Sequence, residues 1–250
     1  FPYTTLFRSG AVVAVNAGII ENCWNKNAVV EATGVAGGIV GVMRTGHVLP
    51  ISTRWSNSDE ENRAIANHHV FINKTYNGGV VRGNYSAGIV GVVQYEEYFR
   101  EGRISRNIVK YRVANSYNVG EALNGIVGSV GNAAFHNMQF EIANVYNADK
   151  RCHKISSDDA EFAVNAYYVV MGQEECKDIG ISQAIDEMKT KNFAKKLGEA
   201  FKYDADGVNN GFPIFSDKRG LDPDAPISVE QRLFIYKALQ VSVIGREIHL

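Results

Sequence analysis

The tetrad Gly-Ile-Val-Gly occurs three times in the chain, and this repetition constrains the fold more than any other feature. The copies end the segments "GGIVG" at 37–41, "AGIVG" at 87–91 and "NGIVG" at 124–128. One copy could be a glycine-rich phosphate loop, but three copies argue for a repeated structural unit. The glycine spacings of dinucleotide and P-loop motifs do not occur in the sequence. The tetrad is therefore predicted to be architectural.

An aromatic residue followed by asparagine precedes each tetrad. The segments are "NCWN" at 22–25, "KTYN" at 74–77 and "NSYN" at 115–118, and a fourth, "NVYN", stands at 144–147. The spacing from the final asparagine to the next tetrad falls from 13 to 11 to 7 residues. The period is therefore irregular, but the order of the elements is constant, and together they define a repeat unit.

The segments between these elements are typical of short strands that end in turns. Such a unit is too short to bury its apolar face alone, so it must stack on its neighbours. The sequence therefore predicts an all-β fold, a right-handed parallel β-solenoid (β-helix-like), over residues 10–170. Glycine suits its corners because it takes positive φ without strain, and asparagine tolerates the same region. The predicted structural repeat residues are Gly38, Gly41, Gly88, Gly91, Gly125, Gly128, Asn25, Asn77, Asn118 and Asn147.

The chain after Tyr167–Val170, the predicted last strand, has helical periodicity. Ser182 is a candidate helix cap. Phe193, Leu197 and Phe201 recur every four residues, which predicts a short helix pair or one broken helix over about residues 182–202.

A small helical C-terminal cap is therefore predicted over residues 171–220. The phrase "DADGVNNGFPIF" ends it with an Asn-Gly turn and an extended strand. A cap is needed because the last unit of a stack otherwise exposes apolar surface and an unpaired edge. Residues 221–250 are predicted to be a linker and tail, or the start of a truncated domain.

The first nine residues, "FPYTTLFRS", match the translation of a common sequencing-adapter oligonucleotide. We therefore expect residues 1–9 to be an artefact and exclude them from fold reasoning, as any processing or cloning scar is excluded. On this expectation the gene is truncated at its 5′ end, and a signal peptide or an upstream domain is missing.

The composition excludes several classes of partner. The chain has 26 basic and 27 acidic residues, so it has no electrostatic footprint for nucleic acid or an anionic membrane. Its apolar runs fall short of the roughly 20 residues that cross a bilayer. We predict no nucleic-acid partner and no transmembrane segment.

The sequence predicts no catalytic residue, metal site or cofactor. Cysteines 23, 152 and 176 are too few for a disulfide framework, although one bridge between Cys152 and Cys176 stays open. His68 and His69 would point to opposite faces of a strand, so they could not easily bind one metal ion together. Acids at 158, 159 and 161 favour a solvated turn over a glycosidase pair, because spacing along the chain does not define a cleft.

Two features of the sequence keep two interpretations each. The run Asp204-x-Asp206-Gly207-x-Asn209 favours a polar turn with Asx hydrogen bonds, and the alternative is a weak calcium site. The repeat aromatics are core residues if they point inward, and ligand-stacking residues if they share an exposed face. These aromatics are Trp24, Tyr76, Tyr117 and Tyr146.

The two repeat elements resemble the GLUG repeat family of bacterial surface and secreted proteins, including IgA-peptidase-like proteins, over roughly residues 10–170. The resemblance implies a non-catalytic β-helical region outside the cell. The predicted function is an adhesive or structural surface protein that contacts a host surface protein or glycan. The alternative is an accessory region of a secreted peptidase or glycan-active hydrolase whose catalytic domain is missing. The insertion "QYEEYFRE" at 94–101 and the lack of the tetrad after Asn147 depart from the family pattern.

Overall fold

The computed structural model describes residues 8–44, 69–94, 99–100, 103–104, 109–131, 138–149, 155, 163–169 and 180–216. Internal contacts divide the chain into two compact units, Phe1–Asp217 and Lys218–Leu250, and all described residues belong to the first. The tail predicted at 221–250 lies outside the described residues, as do residues 1–7.

Short strands make up most of the described chain. The strands of the first repeats are β1 (Arg8–Gly10), β2 (Val13–Asn16), β3 (Ile19–Glu21), β4 (Trp24–Asn25), β5 (Val29–Glu31), β6 (Val35–Gly37), β7 (Val40–Arg44), β8 (His69–Asn73), β9 (Tyr76–Asn77), β10 (Val80–Arg82), β11 (Tyr85–Ala87) and β12 (Val90–Gln94). The later strands are β13 (Phe99–Arg100), β14 (Arg103–Ile104), β15 (Val109–Asn118), β16 (Val127–Gly131), β17 (Met138–Asn147), β18 (Ala163–Val169), β19 (Ile181–Gln183), β20 (Phe201–Lys202) and β21 (Ile214–Phe215).

Strands that hold the same place in successive repeats lie side by side. Their orders are β1-β6-β11, β2-β7-β12-β16, β5-β10 and β3-β8-β15-β17-β18-β19, the last joined by β4 and β9. Every pair in these four sheets is parallel, whereas β13 pairs with β14, and β20 with β21, in antiparallel fashion. The described chain is therefore all-β and mostly parallel, with two short helices.

The pairing places equivalent motif residues next to one another. Trp24 pairs with Tyr76, Tyr76 with Tyr117, and Tyr117 with Tyr146. In a strand, alternate side chains point to the same face. The main apolar core consequently contains aliphatic residues from successive repeats, among them Ile72, Val113 and Ile142, each fully buried.

Isoleucine of the tetrad forms a second aligned set within this core. The backbone N–H groups of Ile39 and Val40 donate to the carbonyl of Ile89 at 3.1 and 2.9 Å, and Ile89 pairs likewise with Ile126. Ile126 and Val127 donate to the carbonyl of Ile155 at 3.0 and 2.9 Å. The buried Ile155 thus continues the set in a segment that lacks the tetrad.

The C-terminal elements differ from the prediction at their boundaries. Ser182 caps no helix, because it lies in β19 and pairs with Tyr168. Strand β18 is therefore followed by another parallel strand and is not the last. The helices are α1 (Ile185–Met188), which has no side-chain cap, and α2 (Lys191–Lys196), whose cap Thr190 accepts a hydrogen bond from the Phe193 N–H at 3.2 Å.

Candidate functional site

The four motif asparagines form a hydrogen-bonded row, which we call the inner asparagine row. Nδ2 of Asn25 donates to Oδ1 of Asn77 at 2.9 Å, Asn77 donates to Asn118 at 2.8 Å, and Asn118 donates to Asn147 at 2.9 Å. None is more than 3% exposed. Nδ2 of each of the first three also donates to a backbone carbonyl two or three residues on. Because buried amides must be hydrogen-bonded, the row ties each turn to the next repeat.

The repeat glycines lie where neighbouring backbones approach closely. A Cβ on Gly38 would lie 2.0 Å from the carbonyl oxygen of Gly88 and 2.6 Å from Cγ of Asn77. A Cβ on Gly88 would lie 2.3 Å from both Cγ of Asn118 and the carbonyl oxygen of Gly125. Backbone oxygens also leave no room for a Cβ at Gly41, Gly91 and Gly128.

The expectation that these glycines form corners with positive φ is wrong. The positive-φ glycines in the described chain are Gly180, Gly198, Gly207 and Gly211, all in the C-terminal segment. The left-handed positions of the repeats have φ from 48° to 53° and hold Asn22, Lys74, Asn115, Asn144 and Asn165. Asparagine adopts this region more readily than most residues, so it replaces glycine there.

The repeat aromatics stack face to face in an aromatic row. Ring centroids are 6.2 Å apart for Trp24 and Tyr76, and 4.9 Å apart for Tyr76 with Tyr117 and for Tyr117 with Tyr146. The interplanar angles are 3°, 3° and 4°. Neighbouring rings occupy both faces of Tyr76 and Tyr117, so neither offers a face on which a sugar could stack.

The C-terminal segment, residues 180–216, covers much of the aromatic row. Tyr117 is 2% and Tyr146 is 0% exposed, whereas Trp24 and Tyr76 are only half-buried. The apolar residues that pack with Tyr117 and Tyr146 in this second core include Met188, Phe193, Leu197, Phe201, Phe212 and Phe215. Tyr117 and Tyr146 are therefore core residues, buried between the repeats and the C-terminal segment. Trp24 and Tyr76 stay half-buried.

Hydrogen bonds fasten this segment to Tyr146. The Tyr146 hydroxyl donates to the carbonyl of Pro213, and Nδ2 of Asn209 donates to the hydroxyl at 3.0 Å. Burial raises the pKa of Tyr146 well above its ordinary value, and the neighbouring Tyr117 adds to the effect. Burial likewise raises the pKa of Tyr117, with smaller contributions from Tyr76 and Asp204.

The turn at Asp204 shows how its oxygen atoms are used. The buried Asp204 carboxylate accepts hydrogen bonds from the backbone N–H groups of Val208, Asn209 and Gly211 at 3.0, 2.7 and 3.0 Å. Asp206 is exposed, and the Asn209 amide bonds Tyr146. This geometry is the Asx-stabilised turn, and it positions Asn209.

A second set of amides forms the outer asparagine row. Nδ2 of Asn165 donates to Oδ1 of Asn144 at 3.0 Å, Asn144 donates to Asn115 at 3.2 Å, and Asn115 donates to Asn73 at 2.8 Å. Asn73 donates to Oε1 of Glu21 at 2.9 Å, which ends the row. Asn165 is exposed and the other three asparagines are half-buried.

A flanking row lies two or more residues before these amides on the same strands. Ile19 pairs with Phe71, Phe71 with Arg112, and Arg112 with Glu141. Ile19 is 64% exposed, Phe71 is half-buried, and Nε of Arg112 lies 3.2 Å from Oε2 of Glu141. The outer surface of the longest sheet therefore carries apolar, ionic and amide groups together.

Several sequence-predicted candidates lie outside the described residues. They are Cys152, Cys176, His68, the acids at 158, 159 and 161, and most of the insertion at 94–101. Cys23 is a half-buried free thiol. Within the described ranges, no group of three or more His, Cys, Asp or Glu residues could hold a metal ion. The same part of the chain contains no helix of the length and apolar character needed to cross a membrane.

Comparison with known proteins gives one structural likeness. No family model and no curated protein matches the chain. A crystal structure of a "putative immunoglobulin A1 protease" from Bacteroides ovatus matches with 16% identity and a TM-score of 0.43, over 84% of this chain and 74% of that one. A TM-score below 0.5 does not establish a common fold, and it transfers no activity to this chain.

Sequence reasoning missed the outer asparagine row and the role of Ile155. The signal for the row was present, because "NAYY" at 165–168 repeats the start of the Asn-x-Tyr-Asn motif without its last asparagine. Ile155 had no such signal, since neither neighbour is glycine.

Proposed function

We propose that residues 10–170 form a right-handed parallel β-solenoid that a cap over residues 171–220 closes, with a linker and tail at 221–250. In-register pairing of equivalent residues through five repeats supports the solenoid. Burial of the aromatic row by Phe193, Phe201 and Phe215 supports the role of the cap.

The function that this geometry supports best is that of a non-catalytic repeat region of an extracellular or cell-surface protein, adhesive or structural, of the GLUG type. The observation that carries it is the pair of asparagine rows. Both rows fix the repeats side by side, and the outer row presents one residue type at the surface, which suits repeated contacts with a host surface protein or glycan. The quoted repeat motifs support the family assignment.

Adhesion is tested with the full chain, labelled and applied to immobilised host matrix proteins and mucin. We expect saturable binding to at least one of these surfaces by the folded chain, and loss of that binding after unfolding in urea. Equal retention of folded and unfolded chain, or retention by no surface, would contradict adhesion.

The alternative, an accessory region of a secreted hydrolase, makes a different prediction. It requires a catalytic domain encoded upstream of Gly10, so reading the complete gene distinguishes the two.

Small-angle X-ray scattering tests the solenoid itself, because a stacked repeat predicts an elongated particle.

A further inference from the structure

The outer asparagine row has hydrogen-bonding capacity that the described part of the chain does not use. A primary amide has two N–H donors and an oxygen with two lone pairs. Asn115 and Asn144 each donate once and accept once along the row. Their other donor and lone pair bond no group within the described part of the chain. Both residues are half-buried, so part of each side chain stays open to solvent.

The amides are also held in place before any ligand arrives. Each is locked by its neighbours in the row and by a left-handed backbone, with φ of 48° at Asn115, 53° at Asn144 and 50° at Asn165. Binding to a rigid array costs less conformational entropy than binding to mobile side chains. The inner row is equally ordered, but it is buried and its amides are engaged.

The spacing of the row selects an extended ligand. Neighbouring parallel strands lie about 4.8 Å apart, so Asn115, Asn144 and Asn165, which share one register position, repeat at that interval along the sheet. Asn73 is offset by one residue, because it pairs with Ala114. The ring spacing of 4.9 Å in the aromatic row reports the same interval. A pyranose unit in an extended, equatorially linked glycan advances by a similar length, which places one hydroxyl-bearing ring against each amide.

The flanking row supplies the other contacts that a sugar ring needs. Ile19 and Phe71 offer apolar surface for the C–H faces of a pyranose. Arg112 and Glu141 neutralise each other and present further donors and acceptors. The amides carry no charge and the Glu21 carboxylate ends the row, so the surface suits a neutral polymer better than an anionic one.

We propose that a neutral, extended β-linked glycan binds along the outer asparagine row, with Phe71 and Arg112 beside it. This inference rests on the proposed function. It assigns glycan contact to the amides of the outer asparagine row and not to the ring faces of the aromatic row. The ligand lies parallel to the direction in which the repeats stack.

The test titrates the full chain with cellohexaose by calorimetry, with maltohexaose as a control. Both are glucose hexamers, but only the β-linked one is extended. We expect saturable binding of cellohexaose and at least about tenfold weaker binding of maltohexaose. Equal binding of both hexamers, or no binding of cellohexaose, would overturn the inference.

Substitutions locate the site. Glycine accepts positive φ, so Asn115→Gly and Asn144→Gly remove the amides without backbone strain. Each should weaken cellohexaose binding about fivefold, the loss expected for one hydrogen bond, and the double variant about twentyfold. The matched control is Asn210→Gly, an exposed asparagine with φ of 53° in the C-terminal segment, which should leave binding unchanged.

The outcomes separate the inference from the proposed function. If Asn210→Gly weakens cellohexaose binding as much as Asn115→Gly does, the outer asparagine row is not the binding site. If the chain binds a host matrix protein but no glucan hexamer, the glycan inference fails and adhesion stands. If it binds neither, both fail.

Discussion

The two asparagine rows use the same amide chemistry in opposite environments. In the inner row, Asn77 and Asn118 are fully buried, and in the outer row Asn115 and Asn144 are half-buried. The rows also run in opposite senses, because the inner amides donate toward the C-terminal repeats and the outer amides donate toward the N-terminal repeats. Residue type alone therefore does not reveal which row holds the fold together.

Burial decides the difference. An unmade hydrogen bond in the interior costs the full desolvation of the group left behind, whereas water replaces a lost partner at the surface. Substitutions in the inner row and at the glycines that touch it should consequently destabilise the chain far more than substitutions in the outer row.

The largest effect is expected for Gly88→Ala. Its Cβ would overlap Cγ of Asn118 and the carbonyl oxygen of Gly125, both at 2.3 Å, so backbone and inner row must move. We expect a loss of about 4 kcal/mol in the free energy of unfolding, measured by urea titration. The control is Gly18→Ala, where no atom lies within 4 Å of the added Cβ. Similar losses in both variants would show that close approach is not the cause.

Asn118→Ala should follow, with a loss of about 3 kcal/mol. The change leaves Nδ2 of Asn77 and Oδ1 of Asn147 without their buried partner, and it frees the carbonyl of Gly120. The same urea titration measures it. A loss no greater than that of Asn115→Gly would contradict the distinction between the rows.

The sequence predicted stacked repeats, and an alignment of their motifs carries the sheet register, because equivalent motif residues pair in the structure. The alignment of "KTYN" with "NSYN" places Tyr76 against Tyr117 and Asn77 against Asn118, which is the pairing in the structure. The sequence did not predict why glycine is needed, because the close approach at Gly88 depends on a neighbour 37 residues away, Gly125. Backbone preference and close approach select the same residue, so only coordinates distinguish them.

The candidate site was less predictable than the fold. The sequence grouped the four repeat aromatics as one set. However, the buried environment of Tyr146 depends on Pro213 and Asn209, which lie outside the repeat motifs. Ser182 shows the same limit, since strand pairing with Tyr168 outweighs its local tendency to cap a helix.

Alkaline pH should loosen the C-terminal segment from the repeats. Burial raises the pKa of Tyr117 and Tyr146, so the folded chain retains protons that the unfolded chain releases above about pH 10. Stability is therefore fully present below about pH 10 and falls above it, by about 1.4 kcal/mol per pH unit for each tyrosine.

The variant Tyr146→Phe removes one of the two buried tyrosine hydroxyls and so tests its share of this pH dependence. It should lose about 1 kcal/mol at neutral pH, because the contacts with Pro213 and Asn209 disappear. It should also show a shallower decline of the urea midpoint between about pH 10 and pH 11. Tyr85→Phe, an exposed ring, is the control. An unchanged slope in Tyr146→Phe would show that this hydroxyl does not titrate with unfolding.

The smallest effect is expected for Asn115→Gly, and it tests the comparison from the opposite side. The substitution removes hydrogen bonds to Asn73 and Asn144 at a half-buried position, and glycine keeps the φ of 48° without strain. Water solvates the partners left behind, so we expect a loss of at most about 1 kcal/mol by urea titration. A loss as large as that of Asn118→Ala would mean that the outer row carries the stack as well. Its amides would then be structural, and a ligand could not engage them without competing with the fold.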